Sequence, residues 1–536
     1  MQRLLYVKII LIFLITQVVY GQESPVEKGL GSINPDVIKA QLSFLSSDWT
    51  EGRAAGEKGE RLAGDYIASM LQLYGVKPFG DVNISGPGKN KSDESGRSYF
   101  QNFILLKTIP GDEQVMQVKS TEGKTIRTTS LTLDVDFSIR PSDPAFEITA
   151  PVVFAGYAYR NDEFRYNDLA KLDLKGKFVL RITGFPKFIA DKLNEQEKRR
   201  ASFRMDSVIK SMGAIGIIEF DPYSKVVGRP KMADFMNMSP SEGIPVSGKP
   251  GASYSIPGVK TYDILKRVNV SVKTANEILK GSGIDIEEYI EKADQNQIYS
   301  FTQLTNKDVF LKTSVKTTQL AVRNIIGIIE GKKKDQLIVL GAHYDHIGTG
   351  NGYIWNGADD NASGTVGIMT LARAILETGV QPEKSIIIAL WSSEELGLLG
   401  SKYYLDNLDF PLKNIKLNLN FDMISRYISD SEPDKVTMTY TDNCPFFMDL
   451  TVSNLKKYGI SLSVDYQPSS DPPGGSDHRS FVAKGIPVMR FKPGHREEYH
   501  RPDDEYGKLN WDIMEKIIKI SFANIWELAN SDWNKK

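Results

Sequence analysis

The sequence contains a single cysteine, Cys444, and this scarcity excludes two kinds of protein. One cysteine cannot form an internal disulfide, so the chain is not a disulfide-stabilised scaffold. It cannot supply a cysteine-rich zinc site either, so a bound metal would be held by histidine, aspartate and glutamate. The chain also lacks a G-x-S-x-G turn, and Cys444 has no evident histidine partner. A covalent serine or cysteine nucleophile is therefore not indicated.

The sequence also lacks an excess of charge of either sign. It has 66 Lys and Arg residues against 67 Asp and Glu residues, and a formal net charge of −1. This balance gives no electrostatic reason to bind nucleic acid or an anionic membrane surface, so neither is predicted as a partner. Hydrophobic residues make up 41% of the chain and charged residues 25%, as in an ordinary soluble globular protein. The length of 536 residues allows two to four domains.

A long apolar run is found only near the N-terminus. Arg3 and Lys8 precede the apolar segment 9–20, and the residues before Gln22 allow cleavage, which predicts a signal peptide over residues 1–21. The segment is shorter than the roughly 20 apolar residues of a membrane-spanning helix, which favours cleavage over an anchor. The protein is thus predicted to be periplasmic or extracellular, with no membrane attachment after cleavage. Export without disulfides fits a bacterial periplasm better than a eukaryotic secretory route.

Three regions are predicted after the signal peptide. Residues 22–139 begin with helices over 34–75, interrupted by a loop, and then change to strands. Residues 140–275 form short strands with one or two helices, including a helix over Tyr262–Val268, and are predicted as a small β-rich insert. Residues 276–536 form the main domain.

Apolar strands and helices alternate regularly from Ile325 onward. This alternation predicts an α/β domain of three layers, in which helices cover both faces of a mostly parallel central sheet. In such sheets the reactive site lies beyond the carboxyl ends of the strands. The predicted strands are Leu337–Leu340, Ser385–Trp391, Leu417–Asp422 and Ile486–Arg490, and the predicted helices are Gly364–Glu377, Leu396–Asn407, Phe446–Tyr458 and Trp511–Leu528.

Histidines and acids cluster at the ends of these strands. The five histidines of the chain are His343, His346, His478, His495 and His500, and all lie in the second half. Glu394-Glu395 and Asp359-Asp360 each have an ordinary explanation, because acids favour helix starts and cap helices. Asp422 is a stronger signal, because an aspartate at the end of an apolar strand is costly to bury unless it is paired or metal-bound. In combination these residues are the ligand types of a hydrolytic zinc site, where one carboxylate can bridge two ions. The acids concerned are Asp345, Asp359, Asp360, Glu394, Glu395 and Asp422.

With these blocks in this order, the segment Ile325–Leu528 resembles the secreted di-zinc aminopeptidases, relatives of aminopeptidase Y, bacterial leucyl aminopeptidase and glutamate carboxypeptidase II. The lead-in Leu45–Pro78 is similar to theirs as well. The resemblance implies a zinc peptidase domain over 276–536, with 22–139 as its N-terminal part. It implies two zinc ions per chain, although cobalt or manganese would accept the same ligands. His343 and Asp422 would bind one ion, Glu395 and His500 the other, and Asp360 would bridge them.

The resemblance also implies roles for residues that are not ligands. Glu394 would be the general base, and Asp345 would hydrogen-bond His343 and set its tautomer. Tyr499 occupies the position of a tyrosine that stabilises the oxyanion in some relatives, and His478 lies in a Ser-Asp-His segment that is predicted as cleft wall. His346 is interpreted as a loop residue and His495 as a surface residue. Arg501-Pro502-Asp503 departs from the commoner His-Thr/Ser sequence after the last ligand.

The insert 140–275 resembles a protease-associated domain, in its segments Leu174–Leu180, Ala214–Ile218 and Ile256–Val259. Such a domain is implied to cap the cleft and to restrict access to short or terminal peptide segments. Peptides would be the substrates, and the oligomeric state is open. We predict removal of the N-terminal residue, because acids near the metals could bind a free α-amino group. The alternatives are a carboxypeptidase, an enzyme like glutaminyl cyclase, or a binding protein that has lost catalysis.

Overall fold

The structure is a computed structural model that describes residues 23–82, 96–139, 145–224, 252–259, 265–297, 299, 303–350, 352–427, 429–494 and 496–533. The chain divides into two compact units. One contains the residues up to Phe103 together with Ala321 onward, and the other contains Ile104–Leu320. The second unit is wider on both sides than the predicted insert 140–275. The predicted signal peptide and His495 lie outside the described residues.

The first unit begins with helices whose ends follow from local sequence. The Asn34 side chain accepts a hydrogen bond from the Asp36 amide at 2.8 Å and caps the second helix, which starts at a proline. The third helix ends at Gly75, whose φ of 89° favours glycine. The elements are α1 (Pro25–Ser32), α2 (Pro35–Leu45), a 3₁₀ turn (Asp48–Arg53), α3 (Lys58–Tyr74) and β1 (Lys77–Pro78).

The second unit is rich in strands. Strands β5, β8, β9 and β11 are joined by parallel pairings in that order, and β4 adds an antiparallel edge to β11. The strands are β2 (Phe100–Glu122), β3 (Thr125–Ser130), β4 (Phe137–Ile139), β5 (Glu147–Phe154), β6 (Arg160–Asn161), β7 (Tyr166–Asn167), β8 (Phe178–Ile182), β9 (Gly216–Phe220), β10 (Ser253–Ser255), β11 (Lys266–Val270) and β12 (Lys307–Ile329). The helices are α4 (Lys187–Ala190), α5 (Glu195–Ser211), α6 (Val272–Leu279) and α7 (Ile286–Asp294).

The helix predicted over Tyr262–Val268 is wrong where the structure describes it. Residues 266–270 form strand β11, and residues 260–264 lie outside the described residues. Val268 and Val270 are buried while Asn269 between them is partly exposed, which is the two-residue period of a strand. A short apolar run does not show whether its period is that of a helix or of a strand. Here the pairing with β9 stabilises the strand.

A buried charged network lies in the second unit. Glu219 accepts hydrogen bonds from Arg181 Nη2 at 2.9 Å and from Arg267 Nη1 at 2.9 Å. Both arginines also contact Asp206. Burial opposes ionisation of Glu219, but the two guanidinium groups hold its pKa below the ordinary value. The charges of the two arginines and the two acids therefore balance one another inside the unit.

The remaining elements complete the first unit with a sheet of mixed direction and a parallel centre. Strands β16, β13, β17 and β20 are neighbours in that order and run parallel, as predicted. The strands are β13 (Lys333–His343), β14 (Gly348–Gly350), β15 (Tyr353–Trp355), β16 (Lys384–Trp391), β17 (Ile415–Asn420), β18 (Lys435–Thr441), β19 (Ser463–Ser469) and β20 (Val488–Lys492). The helices are α8 (Gly364–Glu377), α9 (Leu399–Asp406), α10 (Phe446–Lys457), α11 (His478–Val482) and α12 (Trp511–Asn530).

Side chains of the central strands alternate between two hydrophobic cores. Ile338 and Leu340 pack with α3, α8 and α12, whereas Leu337 and Val339 pack with α9 and α11 on the opposite face. This is the predicted three-layer arrangement, which buries both faces of the sheet. No helix among the described residues is long and apolar enough to cross a bilayer.

Candidate metal centre

Three neighbouring parallel strands end at the same edge of the sheet and carry most of the candidate residues. Strand β13 ends at His343, β16 ends just before Glu394 and Glu395, and β17 ends just before Asp422. Because the strands run parallel, their carboxyl ends deliver these side chains to one place. The side chains of all four residues are largely buried, so their charges require compensation.

Asp360 lies in the turn Ala358–Ser363 that precedes α8. Its Oδ1 is 3.4 Å from Nε2 of His343, and its Oδ2 is 3.1 Å from Nε2 of His500. A Cβ atom at Gly364 would lie 2.7 Å from the carbonyl oxygen of Phe421, so the turn closely approaches the chain after β17. The two oxygens of one carboxylate thus face two different imidazoles, which is the placement required of a bridging ligand.

The remaining ligand candidates group around the two imidazoles. His343 Nε2 is 3.9 Å from Asp422 Oδ1 and 4.0 Å from Glu394 Oε2. His500 Nε2 is 3.4 Å from Glu395 Oε2. Ligand atoms within 4.8 Å of one another form two sets that could hold metal ions, one of His343, Asp360 and Glu395 and the other of His343, Glu394 and Asp422.

The pKa values show that these carboxylates stabilise a positive charge. Burial alone would lower the pKa of His500, but Glu395 and Asp360 raise it to about 11. Burial likewise opposes protonation of His343, whose pKa Glu394 and Asp422 raise well above its ordinary value. The acids therefore favour the protonated form of both imidazoles. A metal cation would displace these protons and meet the same carboxylates.

The contact between His343 and Asp345 is made through the backbone of Asp345. His343 Nδ1 is 3.1 Å from the backbone oxygen of Asp345, and the nearer carboxylate oxygen is 3.8 Å away. Contact with a backbone oxygen also fixes which ring nitrogen is protonated. The Asp345 carboxylate instead accepts hydrogen bonds from the amides of Glu394 at 3.1 Å and Glu395 at 3.4 Å. Asp345 thus positions the turn that carries both glutamates.

Two further residues contact the candidate ligands, a role that was not predicted from the sequence. His346 was interpreted as a loop residue, but its Nδ1 is 2.8 Å from Glu395 Oε1, which leaves Oε2 facing His500. Asp504 accepts hydrogen bonds from the amides of Asp359 and Asp360 at 2.9 and 3.0 Å. The His-x-Asp-His spacing and the acids after the last ligand were the available signals.

Other candidates lie beside this centre. His478 is fully buried, with Nε2 3.1 Å from the carbonyl oxygen of Pro473, so its ring is not exposed to solvent. Arg490 contacts the same histidine at 3.4 Å. Tyr499 is 40% exposed, and its ring stacks on that of His500 with 3.8 Å between centroids. Burial and the surrounding acids raise the pKa of Tyr499, so its phenol stays protonated and can donate a hydrogen bond.

The donor set fits metal ions that accept imidazole and carboxylate ligands. Asp422 Oδ1 is buried and has no hydrogen-bond partner among the described residues, although an unpaired buried carboxylate oxygen is costly. Together with Asp360 between two imidazoles, this oxygen fits a metal-binding site. Burial raises the pKa of Asp422, but His343, Lys492 and Arg490 hold it well below the ordinary value.

Comparison with known proteins finds a family match in part of the chain. Residues 324–525 match the model of Peptidase family M28, and His343 through His500 lie within this match. This part of the chain is therefore similar to peptidase family M28, as the resemblance at the strand ends predicted.

The relatives cover different shares of the chain. Leucine aminopeptidase 2 of Arthroderma otae is 30% identical over 205 residues, which are 37% of this chain and 39% of that protein. Aminopeptidase YwaD of Bacillus subtilis is 30% identical over 241 residues, which are 43% of this chain and 50% of that protein. The chain thus spans half or less of each of these relatives. A solved aminopeptidase from Aneurinibacillus sp. strain AM-1 shares the fold over 95% of this chain and 97% of its own, with a TM-score of 0.55 and 18% identity.

Proposed function

We propose that the protein is a metal-dependent aminopeptidase that hydrolyses the N-terminal residue from peptides. The observation that carries this proposal is the Asp360 carboxylate, whose two oxygens face His343 at 3.4 Å and His500 at 3.1 Å. The relatives support it, because two proteins similar to part of this chain are named aminopeptidases. A site with two ions favours hydrolysis over the single-metal ring closure of a cyclase.

The proposed occupants are two zinc ions, with cobalt or manganese as possible replacements. His343 and Asp422 would hold one ion, Glu395 and His500 the other, and Asp360 would bridge. When bound, such ions lower the pKa of water from about 15.7 towards about 7 and polarise the scissile carbonyl.

Glu394 is the proposed general base. Its side chain is 9% exposed, and burial together with Glu395, Asp477 and Asp422 raises its pKa well above the ordinary value. A carboxylate with a raised pKa accepts a proton from the attacking water and returns it to the leaving amine. Asp345 holds the amides of Glu394 and Glu395, so each glutamate keeps its direction. Tyr499 would donate a hydrogen bond to the oxygen of the scissile carbonyl.

We extend the proposal to the rest of the chain. The segment 1–21 would direct export to the periplasm or the extracellular space. The residues 140–275 would act as a protease-associated insert that limits access to peptide termini. The support for both lies in sequence patterns alone, namely the charged and apolar N-terminus and the Leu174–Leu180 and Ala214–Ile218 segments.

A substrate panel tests the reaction. Aminoacyl-p-nitroanilides and their N-acetylated copies are assayed with a chelator, and again after zinc is restored. Cleavage of the free-amine substrates alone, lost with chelator and regained with zinc, is expected. Cleavage of N-blocked dipeptides from the carboxyl end would replace the proposal with a carboxypeptidase. Cyclisation of N-terminal glutamine would replace it with a cyclase, and bound zinc without turnover of any of these would indicate a binding protein.

Variants test the assignment of roles. Glu394→Gln should retain both metals and lose about 10²–10⁴-fold in kcat, because removal of a general base typically has this effect. Asp360→Asn should lose metal, measured by elemental analysis after gel filtration. Glu497→Gln is the matched control, since Glu497 is exposed and close in sequence to His500. Near-normal kcat in Glu394→Gln would show that another group transfers the proton.

A further inference from the structure

Arg53 is a fully buried arginine outside the segment that matches the M28 family model. It ends the 3₁₀ turn Asp48–Arg53. A buried guanidinium normally pairs with a carboxylate, because an unpaired buried charge is costly. The hydrogen bonds of Arg53 to described residues go instead to backbone carbonyl oxygens.

These carbonyl oxygens belong to the two loops that carry metal-ligand candidates. Arg53 Nε donates to Tyr344 at 2.9 Å, and Tyr344 directly follows His343. Arg53 Nη1 and Nη2 donate to Asn356 at 2.6 Å and to Gly357 at 2.9 Å, just before the turn that holds Asp360. A further bond from Nη1 reaches the carbonyl oxygen of Leu45, at the end of α2.

The backbone of the same turn strengthens the connection. The amide of His346 donates to the carbonyl oxygen of Arg53 at 3.1 Å, so Arg53 contacts the loop on both sides of Asp345. A Cβ atom at Gly52 would lie 2.5 Å from the carbonyl oxygens of both Gly348 and Trp355, and its φ is 65°. The turn therefore packs directly against the chain between the two ligand loops, in a conformation that favours glycine.

The charge of Arg53 also suits this place. Burial lowers its pKa to about 10, opposed by Asp504, Asp360, Asp345 and Glu395. The guanidinium thus remains cationic near neutral pH and faces the acids of the centre. Its planar fork donates in several fixed directions at once, which a lysine ammonium cannot reproduce.

We infer that Arg53 is a positioning residue of the metal centre, which holds the loops of His343 and Asp360 in ligating geometry before a metal binds. It touches neither metal nor substrate and acts through the backbone of both loops. The inference rests on the proposal that this centre binds metal ions. The inference means that the N-terminal segment, which lies outside the family match, contributes a residue that supports the centre.

The test compares metal affinity with loop order in the metal-free protein. Zinc dissociation constants are measured by chelator competition, and hydrogen exchange is followed in peptides that cover residues 343–347 and 356–363. Arg53→Gln should bind zinc about 10–100-fold more weakly, as expected when a residue that orients ligands is lost. Its exchange protection should fall in both loops. Arg53→Lys should show the same pattern, because it keeps the charge and loses the fork.

Controls separate positioning from loss of stability. Leu71→Ala removes a fully buried side chain from α3 and should lower Tm while zinc affinity changes less than about threefold. Arg61→Gln changes an exposed arginine nearby and should change neither quantity. If Arg53→Gln does not fold, the zinc affinity and exchange protection of Arg53→Lys test the inference.

Two results would overturn the inference. One is wild-type zinc affinity in Arg53→Lys, which would mean that charge alone matters. The other is a loss of affinity in Leu71→Ala equal to that in the Arg53 variants, which would mean a general loss of stability. Zinc binding by the wild type without peptide cleavage would refute the proposed function and leave this test intact.

Discussion

The buried carboxyl group of Glu60 leads to a pH-dependent stability that can be worked out from its surroundings. Glu60 lies in α3 and is 1% exposed. Its Oε2 accepts a hydrogen bond from the Gly56 amide at 2.6 Å, and the Ser392 hydroxyl donates to Oε1. Burial outweighs these bonds and raises the pKa of Glu60 from 4.5 to about 7.

The direction of the effect follows from the proton that the folded state retains. Between pH 4.5 and 7 the folded chain keeps Glu60 protonated, whereas the unfolded chain has released that proton. The stability contribution is therefore fully present below pH 4.5 and is lost as the pH rises through 7. At about 1.4 kcal/mol for each pKa unit, the change in the free energy of unfolding is about 3 kcal/mol.

Urea unfolding of the metal-free protein between pH 4.5 and 8 measures this effect. Glu60→Gln cannot ionise, so the wild type should lose about 3 kcal/mol relative to this variant as the pH rises. Glu57→Gln is the control, because Glu57 is exposed three residues earlier and should leave the pH profile unchanged. A difference between wild type and Glu60→Gln that stays constant from pH 5 to pH 8 would refute the reasoning.

Two further predictions concern residues that support the centre and the second unit. His346→Ala should weaken zinc binding about 10–100-fold, because Glu395 loses the partner that directs its free oxygen, whereas His346→Asn should retain part of the affinity. Chelator competition measures both, and unchanged affinity in the alanine variant would contradict the role. Glu219→Gln should cost the second unit about 3–5 kcal/mol in denaturant unfolding, because the buried Arg181 and the partly buried Arg267 lose one of their two carboxylate partners. The exposed Glu163→Gln should have no such effect, and equal midpoints for the two variants would count against the network.

The fold of the first unit was largely predictable because its signals are local. The helix predicted over Gly364–Glu377 has these same bounds, and the predicted strands Leu337–Leu340 and Ser385–Trp391 lie within β13 and β16. The limits of the second unit were not predictable in this way. Its boundaries at residues 104 and 320 fall within the long strands β2 and β12, where neither composition nor a turn residue marks a change.

For the candidate metal centre, too, some features were predictable from local sequence and others were not. Strand ends with histidines and acids are visible in the sequence, because strand period and loop composition are local properties, and the family resemblance implied roles for seven of these residues. The hydrogen bonds within the centre, in contrast, join side chains that are distant along the chain. Arg53 contacts Tyr344 across 291 positions, Glu60 contacts Ser392 across 332, and His346 contacts Glu395 across 49.

The sequence by itself determined the ligand types, their order and the parallel sheet that collects them at one edge. Only the tertiary structure decided that Asp360 faces two imidazoles at once, that Asp345 holds the turn of Glu394 and Glu395, and that Arg53 joins two ligand loops. The physical reason is that hydrogen bonds between distant segments depend on how buried layers pack against each other, and these individual contacts leave no periodic trace in the chain.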